Sequence, residues 1–279
     1  MSIFFKYTQH MIINYGKEVD IINISNKLKI IKNSNLPDNK VAKVLIDKRM
    51  PEDMKKRLND FGIETLDIDR HPNLYEAVSC HPDMVLHHVH DNIIVYEPLV
   101  NSGVVEALRD MGFVLVQGCS KIKPYYPHNI AYNVALVGKN AFHNFKYTDP
   151  VLKQLLVNNN FKLIHVNQGY AKCSICIVDE NSIITSDKGI HKQAVKHGID
   201  SLLIPPQKSI ILKGLDHGFI GGATGKLAYN KLAICGSLIN IEGCEMIKNF
   251  LKVRNIEIIE LGNDDIYDVG TIIPIMEYN

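Results

Sequence analysis

Residues 151–166 read Val151-Leu152-Lys153-Gln154-Leu155-Leu156-Val157-Asn158, then Asn159-Asn160, then Phe161-Lys162-Leu163-Ile164-His165-Val166. The first part sets apolar side chains at 151, 152, 155 and 156, the three- and four-residue spacing of one helix face. Thr148-Asp149-Pro150 ahead of it is a helix start, a capping side chain followed by a proline. The last part is β-branched and aromatic, and reads as a strand. The same helix–turn–strand order recurs four more times, each through a Gly, Asn or His turn. The pairs are Met54–Phe61 into Ile63–Ile68, Val104–Met111 into Phe113–Gln117, Lys192–His197 into Ile199–Ile204, and Cys244–Val253 into Ile256–Leu261. Short polar turns between the pairs predict hairpins: Met84–His90 with Ile93–Glu97, Ala131–Val137 turning at Gly138, Cys173–Val178 with Ser182–Ser186, and Leu227–Tyr229 with Leu232–Gly236. The units read β-β-α-β, at roughly 40–55 residues each.

The ends decide how the units assemble. Val41–Asp47 is a lone strand before the first helix, and Val269–Ile275 a lone strand after the last. If they pair, the sheet has no free edge. An open array would need polar caps, and Thr271-Ile272-Ile273-Pro274-Ile275 is not polar. The expected fold class is α/β: five ββαβ units in a closed pseudo-five-fold α/β propeller, first and last strands paired. Residues 35–279 form one such domain. Residues 1–34 have strand-like alternation (Ile21-Ile22-Asn23-Ile24) but no unit, and are expected as an extension packed on the outside.

Bulk composition narrows the partners. The chain holds 31 basic and 30 acidic side chains, net charge +1, so no electrostatic footprint for nucleic acid or an anionic membrane follows. No run approaches the ~18 apolar residues of a membrane span. The N-terminus lacks an export signal, and six cysteines at scattered positions are not a disulfide framework. A cytoplasmic protein with reduced thiols is expected. A small-molecule ligand is the expected partner, with no nucleic acid, membrane or cofactor and the oligomeric state left open.

Chemistry-bearing residues gather where the units open. In a closed ring those openings share one pocket, and a buried polar ring there needs partners or a ligand. His81 and Asp83, two apart on an extended chain, share a face suited to proton transfer or cation recognition; the plainer reading is a turn cap beside a satisfied histidine. Cys173 follows Lys172, whose charge is expected to lower the thiol pKa. Cys176, on a strand three residues on, faces the other way and reads as core. His88 and His90 fall together by alternation, but with no third ligand no metal site is predicted. Gly218–Lys226 has four glycines without phosphate-loop spacing, and reads as a close backbone approach with Thr224 offering a hydroxyl. The candidate catalytic residues are Cys173, His81 and Asp83. The candidate ligand-binding residues are His128, Asn133, Gln168, Lys172, Gly222, Thr224 and Asp268.

Four strings carry a resemblance: His81-Pro82-Asp83-Met84, Gln168-Gly169-Tyr170-Ala171-Lys172-Cys173-Ser174, Gly218–Lys226, and Asp268-Val269-Gly270-Thr271-Ile272-Ile273-Pro274. With the five units, they resemble an uncharacterised bacterial family of the pentein, or guanidine-modifying enzyme, fold over about residues 35–277. That fold includes arginine and agmatine deiminases, dimethylarginine hydrolase, amidinotransferases and a non-catalytic ribosome anti-association factor. The resemblance implies a nucleophilic cysteine in the final unit and a histidine opening the unit of Gln168–Ser174. Here Thr271, Ile272, Ile273 and Pro274 stand at the first place, and the second has no histidine.

Three readings therefore stay open, in this order: a central pocket binding a small cationic or amide-bearing molecule without turnover; a divergent enzyme using Cys173 with His81 and Asp83; an interaction module. A fully buried Cys173, or one beyond ~6 Å from both partners, would count against the second. A pocket packed shut by Tyr170 and Phe219 would remove the first.

Overall fold

The computed structural model describes residues 28–279. Apart from a short parallel pair of Ile210–Ile211 with Ile266–Tyr267, the described residues form five sheets on one plan: an antiparallel pair of strands, then a helix, then a third strand parallel to the pair's second strand. Four run Leu86–His90, Ile93–Tyr96 and Val114–Gln117; Ala135–Val137, Asn140–His143 and Lys162–His165; Cys176–Asp179, Ser182–Thr185 and Asp200–Leu203; and Thr224–Ala228, Lys231–Ile234 and Glu257–Glu260. Their helices are Ser102–Asp110, Pro150–Asn158, Lys188–Lys196 and Cys244–Lys252. The remaining sheet joins the two ends of the chain. Ile273–Tyr278 lies antiparallel to Val41–Asp47, which pairs in parallel with Glu64–Ile68 after the helix Glu52–Asp60. Pro274 is tolerated in this ladder at a register shift, where a missing N–H costs least.

One local device makes the helix-to-strand turn five times. The residue after each helix's closing turn has positive φ: Gly62, Gly112, Asn160, Gly198 and Asn255. The next residue's N–H reaches back to the helix, Ile63 to Leu58, Phe113 to Leu108, Phe161 to Leu156, Ile199 to Ala194 and Ile256 to Leu251, at 2.9–3.1 Å. Both partners of every pair are buried, as the hydrophobic contact of a Schellman cap requires. Glycine or asparagine followed by a large apolar residue is therefore the sequence mark of each turn. The helices start where acceptors are available: Asn101, Asp149 and Asp187 each accept from backbone N–H groups of the first turn.

The strand expectations need four corrections. Ala131–Val137 is a strand only over Ala135–Val137, because Ala131 and Tyr132 lie in a turn. Val269–Ile275 is not one strand: Gly270 and Thr271 have φ of 65° and 72°, which breaks the extended chain, and the strand begins at Ile273. Met84–His90 opens instead with the short helix Pro82–Val85, with proline at its first position, before the strand Leu86–His90. Cys173–Val178 opens with the helix Ala171–Ser174 before Cys176–Asp179. Of the expected extension 1–34, residues 1–27 lie outside the described residues. Leu28–Ile30 adds an antiparallel strand to Ile273–Tyr278, and Ile31 is fully buried. Among the described residues no helix is long and apolar enough to cross a membrane.

Candidate functional site

The short helices and glycine turns that interrupt the expected strands bring distant residues together. His81 stands at the N-cap position of the helix Pro82–Val85, without a side-chain cap, and that helix carries Asp83. Cys173 and Lys172 sit on the helix Ala171–Ser174. Cys173 Sγ donates to Asp83 Oδ2 at 3.0 Å, and so does Thr271 Oγ1 at 3.0 Å. Lys172 Nζ is 3.3 Å from Thr271 Oγ1. Asn133 ties the group from another unit: its Oδ1 accepts from the N–H of Lys172 (2.9 Å) and Cys173 (3.4 Å), and its Nδ2 faces Cys173 Sγ at 3.3 Å. Donor atoms of His81, Asp83 and Cys173 all lie within 4.8 Å of one another.

Asp268 stands beside this group. Its carboxylate accepts from Phe219 N–H at 2.8 Å and Gly270 N–H at 3.0 Å. Gly222 allows the approach, because a Cβ there would lie 2.0 Å from Asp268 Oδ1. Thr224 uses its hydroxyl on the carbonyls of Ile220 and Gly221. A cavity of about 250 Å³ adjoins, lined among others by His81, Cys173, Asp268, Tyr75, Tyr170 and Phe219. Tyr170 and Phe219 stack with centroids 6.2 Å apart and border this space without filling it.

Burial dominates the electrostatics. It pushes the Cys173 thiol well above its ordinary range, and the Asp83 and Asp268 carboxylates push the same way. Lys172 was expected to favour the thiolate; burial instead lowers its own pKa. At 2% exposure, Cys173 is a protonated hydrogen-bond donor to Asp83. Burial also raises Asp83 from 3.8 to about 6, against the pull of Cys173, Lys172, Thr271 and Asn133. The folded state thus keeps a proton that the unfolded chain releases between about pH 4 and 6, so this group's contribution to stability falls as pH rises across that window. The loss is on the order of 3 kcal/mol. Denaturant unfolding of chelator-treated protein at pH 4, 5, 6 and 7 should show it in the parent and not in Asp83→Asn; identical pH profiles would refute the shift.

Other candidates lie elsewhere. His128 is exposed and stacks edge-on with Tyr147, because the loop before Asn133 turns it outward. Gln168 spends its side chain on Tyr170 N–H and Asp187. His88 and His90 do not form a pair: a register shift falls between them, His88 bonds the carbonyl of Asp91, and His90 bonds Asp91 and Asn159. Burial lowers His87 and His88 to about 3 and 4, so both are neutral core groups. Thr271 was not chosen from the sequence, yet its hydroxyl sits between Asp83 and Lys172. A β-branched residue at φ 72° is the signal, and it shows only in the backbone.

A family profile described as "Family of unknown function (DUF6873)" matches residues 45–273. No curated protein matches the chain. Among solved structures, the chain is similar to SxtG, an amidinotransferase from Microseira wollei in the saxitoxin biosynthetic pathway. The match has 10% identity and a TM-score of 0.52, covering 83% of this chain and 92% of that one. The agmatine deiminase of C. jejuni matches with 10% identity and a TM-score of 0.52, over 84% and 90%. An inosamine-phosphate amidinotransferase from Streptomyces griseus matches with 8% identity and a TM-score of 0.52, over 84% and 91%. At these identities the likeness is one of fold, and the fold is the pentein fold.

Proposed function

Since the chain belongs to the DUF6873 family and has the pentein fold, we propose that it is a cytoplasmic binding protein. In this reading residues 35–279 close their five units into one ring, with residues 1–34 outside it. The central cavity takes a small cationic or amide-bearing molecule without the deiminase reaction, and neither nucleic acid nor membrane is a partner. One observation carries the reading: Asp268, buried and held by two backbone N–H groups, lies on the wall of the 250 Å³ cavity with the aromatic rings of Tyr75, Tyr170 and Phe219. A carboxylate among π faces is the arrangement that recognises a compact organic cation. Asp216, exposed at the rim, adds a second negative charge. Turnover by thiolate attack is disfavoured, because the thiol beside the cavity is held protonated by burial and two carboxylates.

Calorimetric titration with agmatine, arginine, glutamine and leucine tests this. A cation or amide from the panel should bind, leucine should not, and Asp268→Asn should weaken binding roughly tenfold or more. No binding, or binding indifferent to Asp268→Asn and Asp216→Asn, overturns the reading. A second reading, a divergent enzyme, is favoured by the 4.8 Å convergence of Cys173, His81 and Asp83. Alkylation at neutral pH separates the two. The binding reading expects exposed Cys119 to react well before Cys173; a fast-reacting Cys173 supports the enzyme.

A further inference from the structure

The group at the cavity floor has more polar atoms than partners. His81 is 1% exposed, and among the described residues neither of its ring nitrogens has a hydrogen-bond partner. Asp83 Oδ1 is likewise buried and unpaired. Each such atom costs about 1–3 kcal/mol, and three in two neighbouring residues call for a shared partner. The thiol of Cys173 cannot serve all of them, because its one proton is given to Asp83 Oδ2.

Charge points the same way. Asp83 and Asp268 are buried with Lys172 as the cation beside them. A divalent ion, with Cys173 as thiolate and its proton released to solvent, brings Asp83, Asp268, Cys173, Lys172 and the ion to zero net charge.

We propose that His81, Asp83 and Cys173 bind one zinc ion whose fourth position opens on the cavity. A mixed nitrogen, oxygen and sulfur set suits zinc, a borderline-soft ion with tetrahedral preference. The donors already converge to within 4.8 Å, and bonds of roughly 2.0–2.3 Å require them to close further. His81 is placed for the task from two sides. Its Nε2 lies 3.8 Å from Asp47 Oδ2, a carboxylate already held by Arg49 and of the kind that orients a ligating imidazole when it comes within hydrogen-bond reach. Gly270 presses against the ring, since a Cβ there would lie 2.3 Å from His81 Cγ. This deepens the ligand reading and rests on it for the ligand class: the open position would accept an amide oxygen, while Asp216 and the aromatic faces attract a cation.

Metal-stripped protein, dialysed against zinc and then desalted, is expected to retain one zinc per chain. Cobalt(II) in its place should give a thiolate-to-metal charge-transfer band. His81→Gln and Asp83→Asn should each weaken zinc binding by at least the 10–100-fold typical of a lost orienting partner. Cys173→Ser should abolish the cobalt band, and Cys119→Ala should leave it intact. Clearly substoichiometric zinc, a cobalt spectrum lacking the band, or a band that follows Cys119 overturns the proposal. If Cys173→Ser fails to fold, the parent spectrum with Cys119→Ala decides alone. No organic ligand is present in these titrations, so failure here leaves the cation- and amide-binding result standing. Failure of that panel on metal-free protein does not touch the zinc measurement.

Discussion

Alanine in place of Asp149 is expected to cost on the order of 3–5 kcal/mol, read as a fall in Tm of roughly 5–9 °C. The carboxylate is fully buried and all its capacity is in use. Oδ1 accepts from the N–H of Val151 and Leu152 at 2.9 and 3.0 Å, capping the helix Pro150–Asn158. Oδ2 accepts from the N–H of Cys119 and Ser120 at 2.9 and 2.6 Å, with the Tyr132 hydroxyl 3.4 Å away. The cap alone is worth about 0.5–2 kcal/mol; the loop N–H groups, left unpaired, add the rest. Asp149→Asn keeps one acceptor oxygen for the cap but turns an amide NH₂ toward two loop donors, so it should recover only part of the loss. The pH dependence has a definite sign. Burial would raise this carboxyl, but the N–H groups of Leu152, Ser120 and Cys119 outweigh it and hold the pKa below the ordinary value. Its stabilisation is complete at neutral pH and is lost as pH falls through that depressed value. The gap between parent and Asp149→Ala should therefore narrow below about pH 4, the reverse of the trend at Asp83. A change in Tm of under about 2 °C would mean the loop is not anchored here.

The contrast between these carboxylates shows what the chain reveals unaided. Helices with an apolar stripe, such as Val151–Asn158, were legible because their periodicity and their Gly or Asn terminators are local properties. So was the partnership of Val41–Asp47 with the C-terminal strand, since apolar end strands need cover. The unit openings were legible only as places. Tetrapeptides such as His81–Met84 and Ala171–Ser174 are too short to have a period, so β-rich surroundings suggested extended chain where single helical turns stand. The sign of the Cys173 shift was misread for a related reason: Lys172 is adjacent in sequence, but Asp83 and Asp268 are adjacent in space, and burial outweighs all three. Thr271 escaped notice because its role depends on a backbone conformation reached through the preceding glycine.

That glycine should be a sensitive position of the site. Gly270→Ala is expected to lower stability by about 3 kcal/mol or more, from two sources that a control can separate. At φ 65° a Cβ alone costs about 1–2 kcal/mol. It would also lie 2.3 Å from both Cβ and Cγ of His81 and 2.7 Å from its Cα, so His81 or the turn must move, an overpacking cost of typically 1–3 kcal/mol. Gly198→Ala supplies the control. Its φ is 78°, and among the described residues nothing lies within 4 Å of the added atom, so it should lose only the backbone part. The two variants should differ in unfolding free energy by the contact cost, and His81→Gly, which removes both the Cβ and the Cγ that the new atom meets, should recover part of that difference in the Gly270→Ala background while doing nothing for Gly198→Ala. Ligand and metal binding should fall with Gly270→Ala and hold with Gly198→Ala, because only the first displaces the imidazole. Equal losses from the two alanines would mean that His81 yields freely, and a ring that yields freely is not held ready for an ion or a substrate.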